Sequence, residues 1–403
     1  MPVIRTFVSH HGGDYAEHVA PILRRVAPFG VRPWIDKRDL GDRVGLRLDE
    51  QLREAIFKGS CSSLSLFLSK VATTRPWIDQ EVCWAKERES EGFRILPIWL
   101  DPPKTVVLPP SMQAFLSERK VLWLEPYKDP RFVEKYAASV LATAGVTKDT
   151  EEITLYLGHR SEQWDAVIPL EWEALPAIDL RMDIDGADEF SPTLKEWKDI
   201  ETGLRTVRKL TGKLSRLNIC GQAPLGVGTI IGKVWDRCSG QRKSIELRTF
   251  NSTVEQIWST NPEEYDRADG WSPETAKLLQ LESPCSRSNK RLLVILPDAR
   301  AKDYLPRVHA WNEKRREPAS ILCATFPREI KSPMAAQSLV RECVGAIRYL
   351  RKTSRPDTVI EIITCYPLAL APLVSYHLSK LGPIHFYDEV KKDHSYRLAT
   401  VIP

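Results

Sequence analysis

The sequence predicts an α/β chain, with a doubly wound parallel sheet first and a second α/β domain of two related halves after it. Three observations predict this. Between residues 5 and 145, short apolar runs alternate with amphipathic segments, strand and helix repeating five times, which is the pattern of parallel strands joined by helical crossovers. Further on, the passages "RLNICGQAPLGVGTIIGKVWDRC" and "TVIEIITCYPLALAPLVSYHLSKLG" share one plan: an apolar strand, a short loop, Pro-Leu (Pro224-Leu225, then Pro367-Leu368) and a helix rich in small residues. That is an approximate internal repeat. The composition, 42% hydrophobic and 28% charged over 403 residues, is that of ordinary globular protein with room for two or three domains.

In order, "RTFVS" is expected as a strand, "DYAEHVAPILRRVAPFG" as a helix that stops at Gly30, "VRPWID" as a strand and "RLDEQLREAIFKG" as a helix. Then come strand "SSLSLFLS", a helix within 73–90, strand "FRILPIWL", a Pro-rich stretch, strand "VLWLE" and helix "PRFVEKYAASVLATAG". The polar segment "ATAGVTKDTEE" follows a helix that can end at Gly145. Domain boundaries are therefore expected at 1–145, 146–152 (linker) and 153–403. In the second domain, "ITLYLG" and "SIELRTF" are expected as strands and "PTLKEWKDIETGLRTVRKLTGK" as a long helix. "KRLLVILPDA", "ILCATFP" and "SPMAAQSLVRECVGAIRYLRKT" supply more strands and a helix, and "PIHFYDE" a further strand.

Composition narrows the partners. A formal net charge of +5 is small for this length, so wrapping a nucleic acid duplex is not expected, although a local basic pocket for phosphates is compatible with it. Eight cysteines form no CxxC pair, and Cys220, Cys323 and Cys365 lie in or beside apolar runs. Reduced thiols are expected, with neither a zinc site nor a disulfide frame. The opening "MPVIRTFVSHH" has no secretory signal, and no apolar stretch approaches the roughly 18 residues of a membrane helix. A soluble, cytoplasmic protein without a membrane partner is the expectation.

One carboxylate stands out. In "TTRPWIDQEVCWAKERES", helical spacing puts Trp77, Glu81 and Trp84 on one face, beside the inward stripe of Ile78, Val82 and Ala85. Burying a carboxylate without a partner costs several kcal/mol, so it is paired or used. Pairing with Arg75 or Arg53 and a functional role are both open on spacing alone.

The segments "FVSHHGGDYAEHVAPILRR", "WIDKRDLGDRVGLRLDEQLREAI", "LSLFLSKVATTRPWIDQEVCWA" and "RILPIWL" resemble the successive boxes of a TIR domain, over roughly residues 3–145. The resemblance implies a flavodoxin-like sheet. Its most specific element runs from Ser69 through Trp77 to Glu81. It further implies that Glu81 is the catalytic carboxylate of an NAD+ glycohydrolase, with Ser9, His10, Asp36 and Trp77 around the substrate. It also makes Asp36, Lys37, Arg38, Asp39, Leu40, Gly41 and Asp42 the BB loop that packs on neighbouring TIR domains. His10 and His11 stand where the family more often has small or hydroxyl residues. No metal is expected there, because the pair has no supporting ligands.

The second domain resembles a SAVED domain, two fused CARF-like halves, on "ICGQAPLGVGTIIGK", "TCYPLALAPLVSYHL" and "FYDEVKKDHSYRLATVIP". The resemblance implies binding of a cyclic oligonucleotide, cyclic tri-adenylate in the first instance. Helix N-termini with free N–H groups suit linked phosphates. Candidate contacts are Gln222, Ala223, Pro224 and Leu225 in the first half and Cys365, Tyr366, Pro367 and Leu368 in the second, with Arg328 and Lys331 between. Tyr366 is equally readable as a base-stacking platform or a core residue.

Together the two resemblances imply a TIR-SAVED effector of a bacterial cyclic-oligonucleotide (CBASS) anti-phage system. NAD+ would be its substrate, and a ligand-induced homo-oligomer or filament its active form. The rival expectation is a non-enzymatic TIR adaptor.

Overall fold

The computed structural model describes residues 5–36, 48–58, 61–117, 122–123, 130–157, 170–172, 175, 177–180, 193–221, 223–236, 245–251, 256–260, 280–282, 290–327, 330–378, 381–390 and 394–403. The chain divides into two compact units. One comprises Met1–Tyr156, Glu171–Ile184 and Arg205–Leu214, the other Leu157–Leu170, Asp185–Leu204 and Ser215–Pro403. Among the described residues, no helix is long and apolar enough to cross a membrane.

The N-terminal sheet contains β1 (Arg5–Ser9), β2 (Arg32–Trp34), β3 (Cys61–Leu68), β4 (Arg94–Trp99) and β5 (Leu122–Trp123). Its strands lie in the order β2-β1-β3-β4-β5, all parallel, the doubly wound arrangement expected. After β1, a helical run from Gly12 passes through a π-helical turn, Tyr15–Val19, into α1 (Ala20–Val26). It ends where Gly30 turns left-handed at φ 80°, a conformation glycine adopts without a Cβ clash. Further crossovers use α2 (Leu48–Phe57), α3 (Pro76–Glu87), α4 (Pro110–Ser117) and α5 (Pro130–Thr143). Helix α3 starts as its sequence suggests, with extended Arg75 at the N-cap and Pro76 at the first helical position.

The two faces of the β1–β3 layer are buried by different means. Leu64, Leu66 and Leu68 join Ile78, Val82, Trp84 and Ala85 of α3 in an apolar core. On the other face the alternating serines of "SSLS" form a closed polar network. Tyr136 of α5 donates to Ser65 Oγ at 2.7 Å, Ser65 Oγ lies 2.6 Å from Thr6 Oγ1, and Ser63 donates to Thr6 Oγ1 at 3.0 Å. These buried hydroxyls therefore carry little desolvation penalty.

Two expectations need correction. The stretch after β4 is not merely Pro-rich loop: α4 begins at Pro110, and Met112, Phe115 and Leu116, spaced three and four apart, enter the core. Likewise, a helix follows "KRLLVILPDA" that sequence periodicity did not announce, α8 (Asp298–Glu313), which buries only Val308 and Asn312.

The remaining strands form two sheets of one topology. The first comprises β6 (Glu152–Leu157), β7 (Ala177–Asp179), β8 (Arg216–Gly221), β9 (Glu246–Asn251) and β10 (Gln256–Ser259), with α6 (Leu194–Leu210) and α7 (Leu225–Val234). The second comprises β11 (Gln280–Glu282), β12 (Lys290–Pro297), β13 (Ser320–Phe326), β14 (Val359–Thr364), β15 (Ile384–Val390) and β16 (Ser395–Ile402), with α8, α9 (Pro333–Thr353) and α10 (Leu370–Tyr376). Their strand orders are β10-β9-β8-β6-β7 and, reversed, β16-β15-β14-β12-β13-β11. Each closes on an antiparallel pair, β9 with β10 and β15 with β16. The Pro-Leu repeat of the sequence is thus β8-α7-β9 against β14-α10-β15.

The two repeated helices touch through glycine. A Cβ at Gly228 would lie 2.8 Å from the Ala371 Cβ, and one at Gly232 would lie 2.0 Å from Ser375 Oγ and 2.3 Å from the Pro372 carbonyl oxygen. Small residues here permit close helix approach.

Candidate functional site

In the order β2-β1-β3-β4-β5 the winding reverses between β1 and β3, so a crevice opens beyond Ser9 and Leu68. Four pieces of chain follow these strand ends: the end of β1, the segment His10–Asp14 that opens the first helical run, the segment Ser69–Arg75 with its 3-10 turn, and α3.

Glu81, on the second turn of α3, is 8% exposed. Among the described residues it has no ion-pair partner. Arg75 approaches His11 instead, Nη2 to Nε2 at 3.3 Å, and Arg53 lies over the Phe57 ring at 5.1 Å. The structural pairings open at the sequence level are therefore not made. Burial pushes the Glu81 carboxyl up to about 8, the Ser9 hydroxyl opposing the shift and the Asp36 carboxylate adding to it. A carboxyl perturbed this way, in a crevice at a switch point, is characteristic of functional sites.

The loops are laced across the crevice. Ser69 Oγ donates to Asp14 Oδ2 at 2.6 Å and accepts from the Ala72 backbone N–H at 2.9 Å. One hydroxyl thereby ties the loop after β3 to the helix start after β1. His11 Nδ1 faces the Gly13 N–H at 3.2 Å, while Nε2 faces Arg75. A neutral imidazole accepts at one nitrogen only, so these two donors compete for it.

Of the other expected residues, Ser9 is buried at the end of β1. His10 is half-buried and turns back on its own strand, Nδ1 lying 3.2 Å from the Val8 carbonyl oxygen and the ring tilted against Tyr15 at 5.2 Å. Trp77 stands 47% exposed at the start of α3, whereas Trp84 joins the core. Lys37, Arg38, Asp39, Leu40, Gly41 and Asp42 lie outside the described residues. Sequence reasoning did not single out Asp14. Its only signal was an acidic residue opening the first helix, and its partner is 55 positions away.

In the second domain, Ala223, Pro224 and Leu225 sit half-buried at the start of α7, and Cys365, Pro367 and Leu368 half-buried after β14. Tyr366 is 4% exposed, and burial pushes its phenol up. Lys331 is exposed just ahead of α9. Gln222 and Arg328 lie outside the described residues.

The expected anion-binding helix starts are partly used within the chain. The Gly226 N–H of α7 donates to Asp388 Oδ2 at 3.2 Å. At α10, the Leu370 and Ala371 N–H groups bond the Pro367 and Leu368 carbonyls. Gly221 also serves the fold: at φ 104° a Cβ there would meet the Leu157 carbonyl oxygen at 2.0 Å.

Residues 6–137 match the family model of the TIR domain. Among solved structures, the chain is similar to the Acinetobacter baumannii Cap4 SAVED/CARF-domain containing receptor with the cyclic trinucleotide 3'3'3'-cAAA. That likeness has 14% identity over 88% of this chain and 84% of that one, with a TM-score of 0.45. The same receptor with 2'3'3'-cAAA gives 14% identity, the same coverage and a TM-score of 0.46. The Moraxella osloensis Cap4 receptor gives 12% identity, 88% and 84% coverage and a TM-score of 0.42. No curated protein matches the sequence.

Proposed function

We propose that this chain, whose residues 6–137 form a TIR domain, is an NAD+ glycohydrolase switched on when its second domain binds a cyclic oligonucleotide. The observation that carries the enzymatic part is Glu81: a buried carboxyl without a cation partner among the described residues, at the mouth of the β1/β3 crevice.

One carboxylate suffices for this reaction. The bond between ribose C1' and the nicotinamide nitrogen breaks heterolytically and its electron pair stays on that nitrogen, so the base departs neutral. No acid has to protonate it, unlike in ordinary glycoside hydrolysis. The ribose becomes oxocarbenium-like, water adds to C1', and a proton is released with the ADP-ribose. Ionised Glu81 offsets the developing positive charge and accepts from ribose hydroxyls, an effect that is strong in a site shielded from water. Ser9 and Asp36, whose side chains Glu81 feels, would flank the ribose, exposed Trp77 would offer an aromatic wall, and the Ser69–Asp14 bond ties the two bordering segments together.

The reading also accounts for an off state. Burial pushes the Glu81 carboxyl toward its protonated form, and a protonated carboxyl offers little to a cation. Ligand-driven assembly of the second domains would then bring a neighbour's loop 36–45 to the site and favour the ionised form. Tethering raises the local concentration enough for weak TIR contacts to suffice. The proposal includes a cytoplasmic location, so that the NAD+ consumed is the cell's own.

The test is nicotinamide release by the full chain across cyclic di-, tri- and tetra-adenylates. The account expects turnover with one of them, and loss of at least about 100-fold in Glu81→Gln. The adaptor alternative draws on exposed Val71 and Trp77 beside the crevice. Partner binding that persists in a protein with no NAD+ cleavage under any ligand would favour it.

A further inference from the structure

In the sheet β16-β15-β14-β12-β13-β11 the winding reverses between β12 and β14, so the crevice of the second half opens beyond Pro297 and Thr364. One side chain spans it. Arg300, in the first turn of α8, donates from Nη1 to Cys365 Sγ at 3.3 Å, just past the end of β14. Tyr304, one helical turn on, has its hydroxyl beside both Cys365 and Arg300.

A thiol is a weak acceptor, and a guanidinium carries five donors. Arg300 is exposed and has no carboxylate partner among the described residues. The nearby Glu389 is engaged elsewhere, by His394 Nδ1 at 2.8 Å and Arg307 Nη1 at 3.7 Å. Asp298 and Asp303, on the same helix, face solvent.

Behind this group lies a second, independent signal. Tyr396 of β16 is 7% exposed, its ring edge packs on Trp311 at 5.2 Å, and its hydroxyl is buried with no hydrogen-bond partner among the described residues. Burial pushes its phenol up first, with Glu389, Tyr304 and Cys365 adding to the shift and Arg307 opposing it, so the hydroxyl lies within electrostatic reach of this group. A buried donor without an acceptor is costly to keep in a fold. The N-terminus of α8 adds backbone donors, because Pro297 at its N-cap makes no side-chain capping bond.

We propose that Arg300, with Tyr304 and the buried Tyr396 hydroxyl, forms a phosphate subsite that takes one phosphodiester of an oligonucleotide in the crevice between β12 and β14. The inference rests on the reading that the second domain binds a cyclic oligonucleotide. On binding, the guanidinium exchanges a neutral sulfur for two anionic oxygens, a bidentate pairing that lysine does not reproduce.

The experiment is calorimetric titration of the full chain with cyclic di-, tri- and tetra-adenylate and with linear tri-adenylate at several salt concentrations. With the tightest-binding ring, Arg300→Ala is expected to weaken binding at least about 10-fold and to reduce the slope of log affinity against log salt by about 0.7. Arg300→Lys should keep the slope while recovering only part of the affinity. Tyr396→Phe should bind more weakly with an unchanged slope. Unaltered affinity and slope in Arg300→Ala, with the wild type binding, would overturn the subsite alone. A wild type that binds none of the rings would instead overturn the nucleotide-binding reading beneath it. Tighter binding of the linear oligonucleotide would keep the subsite but reassign the activator.

Discussion

At the residue scale, the account turns on a carboxyl whose position works against the fold. Glu81 has a folded-state pKa raised from an ordinary 4.5 to about 8. Below 4.5 both folded and unfolded chains hold the proton and the site carries no charge penalty. Between 4.5 and 8 only the unfolded chain ionises, so stability falls with rising pH by up to about 1.4 kcal/mol per unit, and the loss is complete above 8. Glu81→Gln keeps the shape but cannot ionise. Its melting temperature is therefore expected to exceed that of the wild type at pH 8 and to match it at pH 4. A variant less stable than the wild type at pH 8 would mean that the carboxylate is satisfied by the fold. Ser69 acts one step removed, through the loops it joins. Ser69→Ala should lower kcat about 10-fold with KM little changed, and Ser69→Thr should restore part of it. Equal losses in both variants would point to a packing defect.

At the element scale, legibility followed the strength of the local signal. The strands of the first sheet and α3, with Ile78, Val82 and Ala85 inward, were readable because alternation and helical spacing are local properties of the chain. Glu81 was legible as an anomaly for the same reason, an acidic residue at the edge of an apolar stripe. Helix α8 was not, since it buries little and carries Pro306 inside it. Arg300 and Tyr304 were lost with it. Nor does any local pattern pair Gly226 with Asp388, 162 positions apart. The Pro-Leu repeat was visible, but the reason for its glycines emerged only from packing. A Cβ at position 232 would meet Ser375 Oγ at 2.0 Å and the Tyr376 nitrogen at 2.8 Å. Gly232→Ala should therefore destabilise the domain by about 1–3 kcal/mol in chemical denaturation, despite alanine's better helix propensity. An alanine variant as stable as the wild type would show that α7 and α10 separate easily.

At the scale of the whole molecule, two sheets of equivalent strand order follow the stretch that matches the TIR family model; the proposed function couples the Glu81 crevice of that stretch to a ligand of repeating chemistry held by the duplicated fold. Composite sites between neighbouring chains make a specific demand. A Glu81→Gln subunit mixed with a subunit altered in loop 36–45, each inactive alone, should recover turnover, and absence of recovery at every mixing ratio would exclude a shared site. The most direct measurement of the central claim is nicotinamide release from NAD+ by the purified full chain, with and without cyclic tri-adenylate, for wild type and Glu81→Gln side by side. Release by the wild type alone, and only with the ring present, is the predicted result. Undiminished release by Glu81→Gln would contradict the account.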